Sequence, residues 1–285
     1  MATGFLHPGA MGASLAEACR GRRLWCSDGR SDASRSRASA AGLEDVGSVK
    51  ELAQHADVII SVCPPASAID VAESVVEAGF GGIYVDVNAI SPATARQIGD
   101  RFSRFVDGGV VGPPVRSAST TRLYLAGDDA GEVADLWAGT PLETRVVEGG
   151  AGAASAVKVC FAAWTKGTAA LLLAIRALAA AEGVEDALLT EWATSMPSLE
   201  EQSERAAADN APKAWRFAGE LEEIAASFAA HDLPAGFGTA AADVYQRMAG
   251  FKDNSAATLP DVIEALRNPT TTGVRRTNVR RLGRP

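Results

Sequence analysis

The chain is poor in the residues that build metal centres and covalent cross-links. Four cysteines and three histidines occur in 285 residues, and Cys19, Cys26, Cys63 and Cys160 form no CxxC pair. His7, His55 and His231 are equally scattered, so no zinc site is expected, and a reducing cytoplasm fits this usage. Positive charge is also short: 27 Lys and Arg stand against 35 Asp and Glu, a net charge of −8. That balance argues against a nucleic-acid groove. No apolar run reaches the ~18 residues of a membrane span, because Lys, Arg, Glu and Ser interrupt each stretch. The first residues carry no basic segment ahead of an apolar one, as a signal peptide would. Apolar residues themselves are plentiful. With 47% hydrophobic and 22% charged residues, disorder is excluded and a globular chain of two domains is expected.

Residues 2–125 alternate short β-rich runs with amphipathic stretches. Strands are predicted at Thr3–Leu6, Arg23–Cys26, Val58–Val62, Ile83–Val87 and Arg122–Ala126. Helices are predicted at Met11–Arg20, Ser48–Ala56, Ser67–Ala78 and Ser91–Phe102, the last with Ser91 as N-cap and Pro92 at its first position. This alternation reads as an α/β, doubly wound parallel sheet. After Gly149-Gly150 the character changes to an Ala/Leu-rich helix from Ala151 to about Ala181, followed by further helical segments. The boundaries are therefore set at 1–148 for a Rossmann domain, 149–266 for an all-helical domain and 267–285 for a basic, flexible tail with six arginines. Val157, Cys160, Phe161, Trp164, Leu171, Leu172, Ile175 and Leu178 cover more than one face of the long helix. Such a helix is buried on most sides, here by its own domain and a second subunit.

The strongest local signal is Gly4-Phe5-Leu6-His7-Pro8-Gly9-Ala10-Met11-Gly12 at the first strand–helix junction. A Gly-rich turn leaves helix N-terminal amides free for a pyrophosphate, which assigns His7, Pro8, Gly9, Ala10, Met11 and Gly12 to a dinucleotide. Gly9 permits close phosphate approach and Gly12 tight helix–strand packing, while His7 stands where the fingerprint has its first glycine. The second strand runs into Ser27-Asp28-Gly29-Arg30-Ser31. An acid there suits the ribose of NAD(H) and an arginine the 2′-phosphate of NADP(H). Both are present. Ser27, Arg30 and Ser31 favour NADP(H), and NAD(H) stays possible. The strand ending Cys63-Pro64-Pro65 and the tip at Asn88 point into the crevice at the carboxyl edge of the sheet, toward the nicotinamide ribose. Cys63 has no base beside it and reads as a small buried thiol. Lys158 lies two turns into the long helix amid Val157, Val159 and Phe161. It is either a snorkelling surface lysine or a desolvated one whose lowered pKa suits proton transfer.

Together these motifs resemble the 3-hydroxyisobutyrate/6-phosphogluconate dehydrogenase superfamily of β-hydroxyacid dehydrogenases, in a branch with a phosphogluconate-dehydrogenase-like C-terminal domain. The resemblance covers about residues 4–250. It rests on GxxxxGxMG at Gly4–Gly12, Cys63-Pro64-Pro65, Val-Asp-x-Asn ending at Asn88, Asp107–Gly112, and GxxGxxxxxK ending at Lys158. It implies a Rossmann domain, an all-helical dimerisation domain, an active site in the cleft between them, and Lys158 as the catalytic residue. Substrate contacts would map to Val111, Gly112, Pro113, Ala162 and Glu223.

Three departures bear on the substrate. Ala162 replaces the asparagine that the family places one turn after the lysine. Val111 and Pro113 replace a serine and a glycine, so an anion cradle loses two donors. Glu220, Glu222 and Glu223 stand where the family offers a Lys-Asp pair, which suits an amine or a polyhydroxy substrate. The function expected is an NADP-dependent dehydrogenase acting on CH-OH groups, as a homodimer without metal, nucleic acid or membrane. Its competitors are an imine reductase, against which Lys158 counts, and a cofactor-binding protein without turnover.

Overall fold

The computed structural model describes residues 1–118 and 120–268. The expected basic tail, apart from Arg267 and Asn268, lies outside the described residues. Alternating apolar runs become the strands β1 (Ala2–Leu6), β2 (Arg22–Trp25), β3 (Glu44–Asp45), β4 (Val58–Ser61), β5 (Ile83–Asp86), β6 (Phe105–Val111), β7 (Arg122–Ala126) and β8 (Glu143–Val146). They form one sheet in the order β3-β2-β1-β4-β5-β6-β7-β8. β1 to β6 run parallel, whereas β7 pairs antiparallel with β6, and β8 follows β7. The sheet is thus mostly parallel rather than wholly so. A β6–β7 reversal needs no crossover helix, and only the loop from Gly112 to Thr121 separates the two strands.

Both sheet faces are buried, as strands covered by helices require. Phe5, Val58, Ile60, Ile83 and Val85 pack one core with Leu15 and Trp137. Leu6, Ile59 and Tyr84 face the other way, onto Leu52, Ile90 and Ile98. The covering helices are α1 (Ala10–Ala18), α2 (Asp32–Ala40), α3 (Val49–His55), α4 (Ala68–Glu77), α5 (Pro92–Gly99) and α6 (Ala130–Ala134). Ser91 caps α5 by accepting the Thr94 amide, with Pro92 at the first helical position.

The rest is helical: α7 (Ala153–Glu182), α8 (Glu185–Ser195), α9 (Leu199–Asn210), α10 (Ala214–Ala229), α11 (Gly236–Arg247) and α12 (Leu259–Arg267). The change from alternating to helical elements falls between β8 and α7. The compact units divide elsewhere, as 1–168 with 216–242 and 169–215 with 243–285. The first unit holds the sheet, the start of α7 and most of α10. The second is built on Trp192, Ala207, Met248 and Val262, with the buried Arg176 held by Glu185 and Ser203. By length and composition alone α7 could cross a membrane, which the charge-interruption argument does not anticipate. Lys158, Lys166 and Arg176 lie along it.

Candidate active site

At the end of β1 the chain turns sharply. His7 takes φ 61°, a left-handed conformation that side chains avoid, and the Gly9 amide donates to the His7 carbonyl at 2.6 Å. α1 then starts at Ala10 with Gly9 as N-cap and no side chain over its first amides. A Cβ on Gly12 would lie 3.1 Å from the His7 oxygen and 3.4 Å from Val62 Cβ, so glycine is what lets α1 sit this close to the strands. A Cβ on Gly9 would meet nothing nearer than 4.0 Å. The turn is therefore open on that side of Gly9.

The neighbouring corner, after β2, is basic. Arg30 is half-buried, and its Nε finds no partner among the described residues. Ser27 is buried, donates its amide to Asp45 and gives its carbonyl to Arg35 Nη2 at 2.9 Å. Arg37 Nε donates to the Pro8 carbonyl at 3.1 Å, tying α2 to the glycine turn. Ser31 is the N-cap of α2, accepting from the Ser34 amide. Arg35 and Arg37 are additions to the sequence reading. Helix α2 has one buried residue, Ala38, so no apolar period betrayed it.

Next along the edge, the tips of β4 and β5 are laced by one side chain. Asn88 accepts from the Cys63 amide at 2.5 Å and donates to Ser61 Oγ and Asp86 Oδ2 at 3.1 and 2.8 Å. Its amide is spent on bracing the loop that carries Cys63, Pro64 and Pro65. Burial, then the Asp86 charge, push the Cys63 thiol up to about 12, which agrees with an inert thiol. Burial raises Asp86 itself to about 7 against its bonds from Asn88.

Lys158 is placed by β6. Asp107 on that strand is fully buried and accepts the Ser155 amide and hydroxyl at 2.8 and 2.6 Å, a carboxylate cap for the first turn of α7. Lys158 follows one turn later, and desolvation lowers its ammonium to about 8. The nearby charges of Lys166 and Arg216 act in the same direction, and Glu220 opposes them. Lys166 pairs with Glu220 and lies 4.3 Å over the Phe217 ring.

The residues assigned to the substrate scatter in role. Val111 and Ala162 are buried. Gly112 turns at φ 120°, and the Pro113 carbonyl accepts from Thr121. Glu223 accepts the Ser91 amide at 2.7 Å and the Thr94 hydroxyl at 3.2 Å, so it braces α5. With Glu223 bonded to α5 and Glu220 to Lys166, the surplus charge around Lys158 is cationic.

Comparison with known proteins gives the following. A family described as a domain of unknown function, DUF1932, matches residues 179–248. An uncharacterised 28.5 kDa protein in the 7S RNA 5′ region of Methanothermus fervidus is 33% identical over 171 residues; the match spans 58% of this chain and 64% of that protein. The conserved protein MTH1747, of unknown function and described as structurally similar to 3-hydroxyacid dehydrogenases, is 26% identical. It superposes with a TM-score of 0.66 over 88% of this chain and 98% of its own. The Mycobacterium tuberculosis 3-hydroxyisobutyrate dehydrogenase, solved with L-serine, is 22% identical, with a TM-score of 0.68 over 94% of this chain and 99% of its own.

Proposed function

We infer that this chain, a 3-hydroxyisobutyrate dehydrogenase-like protein in its fold, is an NADP-dependent oxidoreductase acting on a small hydroxy or carbonyl compound. The observation that carries the reading is Lys158, held on the first turns of α7 by the Asp107 cap and with its pKa brought down to about 8. A surface lysine that snorkels has neither feature.

The residues present fit a dinucleotide. The open side of Gly9, the uncapped first amides of α1 and the buried Arg30 Nε without a partner form a basic edge across the tips of β1 and β2. When bound, the nicotinamide supplies or accepts the hydride. His7 to Gly12 would hold the pyrophosphate, and Ser27, Arg30 and Arg37 the 2′-phosphate. Cys63 to Pro65 would line the nicotinamide ribose, with Asn88 bracing their loop.

The chemistry left to the protein is a proton. Reduction of a carbonyl builds negative charge on oxygen, which the Lys158 ammonium stabilises before donating a proton. In the oxidative direction the neutral amine takes the hydroxyl proton. A lysine near 8 is available in both forms close to neutral pH, which one at its ordinary 10.5 is not. With Lys166 and Glu220 paired, the Arg216 charge near Lys158 favours a substrate carrying an acid group over an amine.

The partner we propose is a second copy of the chain. Along α7, Phe161, Trp164, Leu171 and Leu178 are 45%, 72%, 59% and 62% exposed, which a helix apolar on most sides tolerates only when another surface covers it. The test of the activity is NADPH oxidation followed at 340 nm with a panel of keto acids, sugar acids and amino ketones. Turnover of at least one keto acid, lost in Lys158→Ala, is expected. Turnover equal in wild type and Lys158→Ala would overturn the reading.

A further inference from the structure

Two polar atoms on the sheet edge are buried and lack a partner among the described residues: His7 Nδ1 and Arg30 Nε. His7 directly follows β1 and Arg30 lies in the loop after the adjacent β2, and the Arg30 charge acts on the His7 imidazole. His7 also sits at φ 61°, where the turn fingerprint has glycine, so the backbone is strained to carry an imidazole at this point. Strain and two orphaned atoms at one corner indicate a group that satisfies both when it arrives.

The surroundings select its chemistry. From the loop after β2 come Arg30 and the exposed Asp28; from α2 come Arg35, Arg37 and, at the helix start, Asp32. The loop after β4 contributes Cys63, a neutral thiol, and the start of α1 contributes amides alone. A multivalent anion with several acceptor oxygens meets this set. Resting on the reading of this edge as an NADP site, we propose that His7 is a specificity residue for the 2′-phosphate, donating from Nδ1 beside Arg30 and taking up a proton as the phosphate arrives. Without the anion, burial and then the Arg30 charge hold the imidazole down to about 4, so it is neutral at pH 7. A phosphate dianion between His7 and Arg30 reverses the sign of the local field and favours the charged imidazole. The proton comes from solvent, and no bond to carbon or phosphorus changes.

Isothermal titration calorimetry of the full chain tests this with NADP⁺ and NAD⁺ at pH 7, in buffers of different ionisation enthalpy. The dependence of observed heat on buffer counts the protons taken up. Wild type is expected to take up roughly half to one proton per NADP⁺, and His7→Asn and His7→Gly none beyond the nucleotide's own share. NADP⁺ affinity should fall roughly tenfold further than NAD⁺ affinity in both variants, since the turn that carries His7 serves both nucleotides, and wild-type NADP⁺ affinity should weaken from pH 6 to 8. His7→Gly restores the residue the turn prefers, so it carries the comparison if His7→Asn does not fold. Equal proton uptake in wild type and either folded variant overturns the role of His7 and leaves the cofactor site standing. No binding of either nucleotide overturns both.

Discussion

Gly109 packs its backbone against the stem of Lys158: a methyl group placed on the glycine would lie 3.0 Å from Lys158 Cβ and 2.7 Å from the Ala154 carbonyl oxygen. Two residues earlier on β6, Asp107 holds the amide of Ser155. Strand and helix therefore fix the lysine from two points. Gly109→Ala is expected to force β6 and α7 apart, at about 1–3 kcal/mol of stability. It should slow turnover more than it weakens NADPH binding, since the residues proposed to hold the cofactor follow β1, β2 and β4. A thermal melt and a fluorescence titration with NADPH check both parts; an unshifted melt would show that the contact is slack.

Lys158→Met removes the proposed proton donor without emptying its space. A positioned general acid is typically worth ~10²–10⁴-fold in rate, so kcat should fall by that much at unchanged NADPH affinity. The pH dependence has a defined sign. Carbonyl reduction uses the ammonium and should decline above about 8, while alcohol oxidation uses the amine and should rise through the same value. Both limbs should be missing in the variant.

The same substitution should stabilise the fold, in a window set by the lysine. Its pKa is lowered from 10.5 to about 8, so the folded state disfavours the charge. The penalty is fully present below about 8, shrinks as pH rises toward 10.5, and is absent above that value. A gain of ~1–3 kcal/mol is expected for Lys158→Met at pH 7 and none at pH 11, measured by urea unfolding. A variant less stable than wild type at pH 7 would mean that the ammonium is better solvated than its burial implies.

In the proposed reading, cofactor preference is set at the corner after β2. Losing a charged contact to the 2′-phosphate costs about 1.5–3 kcal/mol, so Arg30→Ala should bind NADPH roughly ten- to hundredfold more weakly and NADH as before. Arg37→Ala should act more gently, because its Nε is already committed to the Pro8 carbonyl. Equal losses for both nucleotides would place Arg30 at the pyrophosphate instead.

Much of this was legible in the residues because the physics is local. Val58-Ile59-Ile60 reads as a buried strand by its β-branched run, and Gly9 and Gly12 announce a turn whose packing needs them. The reversal at β7 was not legible, since nothing within Arg122–Ala126 sets its direction; the loop from Gly112 to Thr121 does. Helix α2 escaped because its Ser/Arg sequence has no apolar stripe, and with it went Arg35 and Arg37. The glutamates misled for a similar reason. A carboxylate in a helix looks free in sequence, and only the three-dimensional neighbours show Glu223 bonded to Ser91 and Glu220 to Lys166.

The proposed association of two chains through α7 gives the last expectation. Trp164, Leu171 and Leu178 recur every seven residues, with Phe161 one turn before the tryptophan, and all four are exposed. A seven-residue spacing drifts only about 20° per repeat on a straight helix, so these side chains form one narrow stripe. Covering the exposed part of these side chains on both copies removes apolar surface from water at ~25 cal/mol per Å², which offsets the entropy of association and favours a dimer. Light scattering on a size-exclusion column should give twice the 29.4 kDa chain mass. Trp164→Glu places a charge in the centre of the stripe and should yield a folded monomer whose tryptophan emission no longer shifts on dilution. A wild-type protein that elutes as a monodisperse monomer at 50 µM or above (about ten times the concentration such an interface requires) would leave the stripe for some other partner.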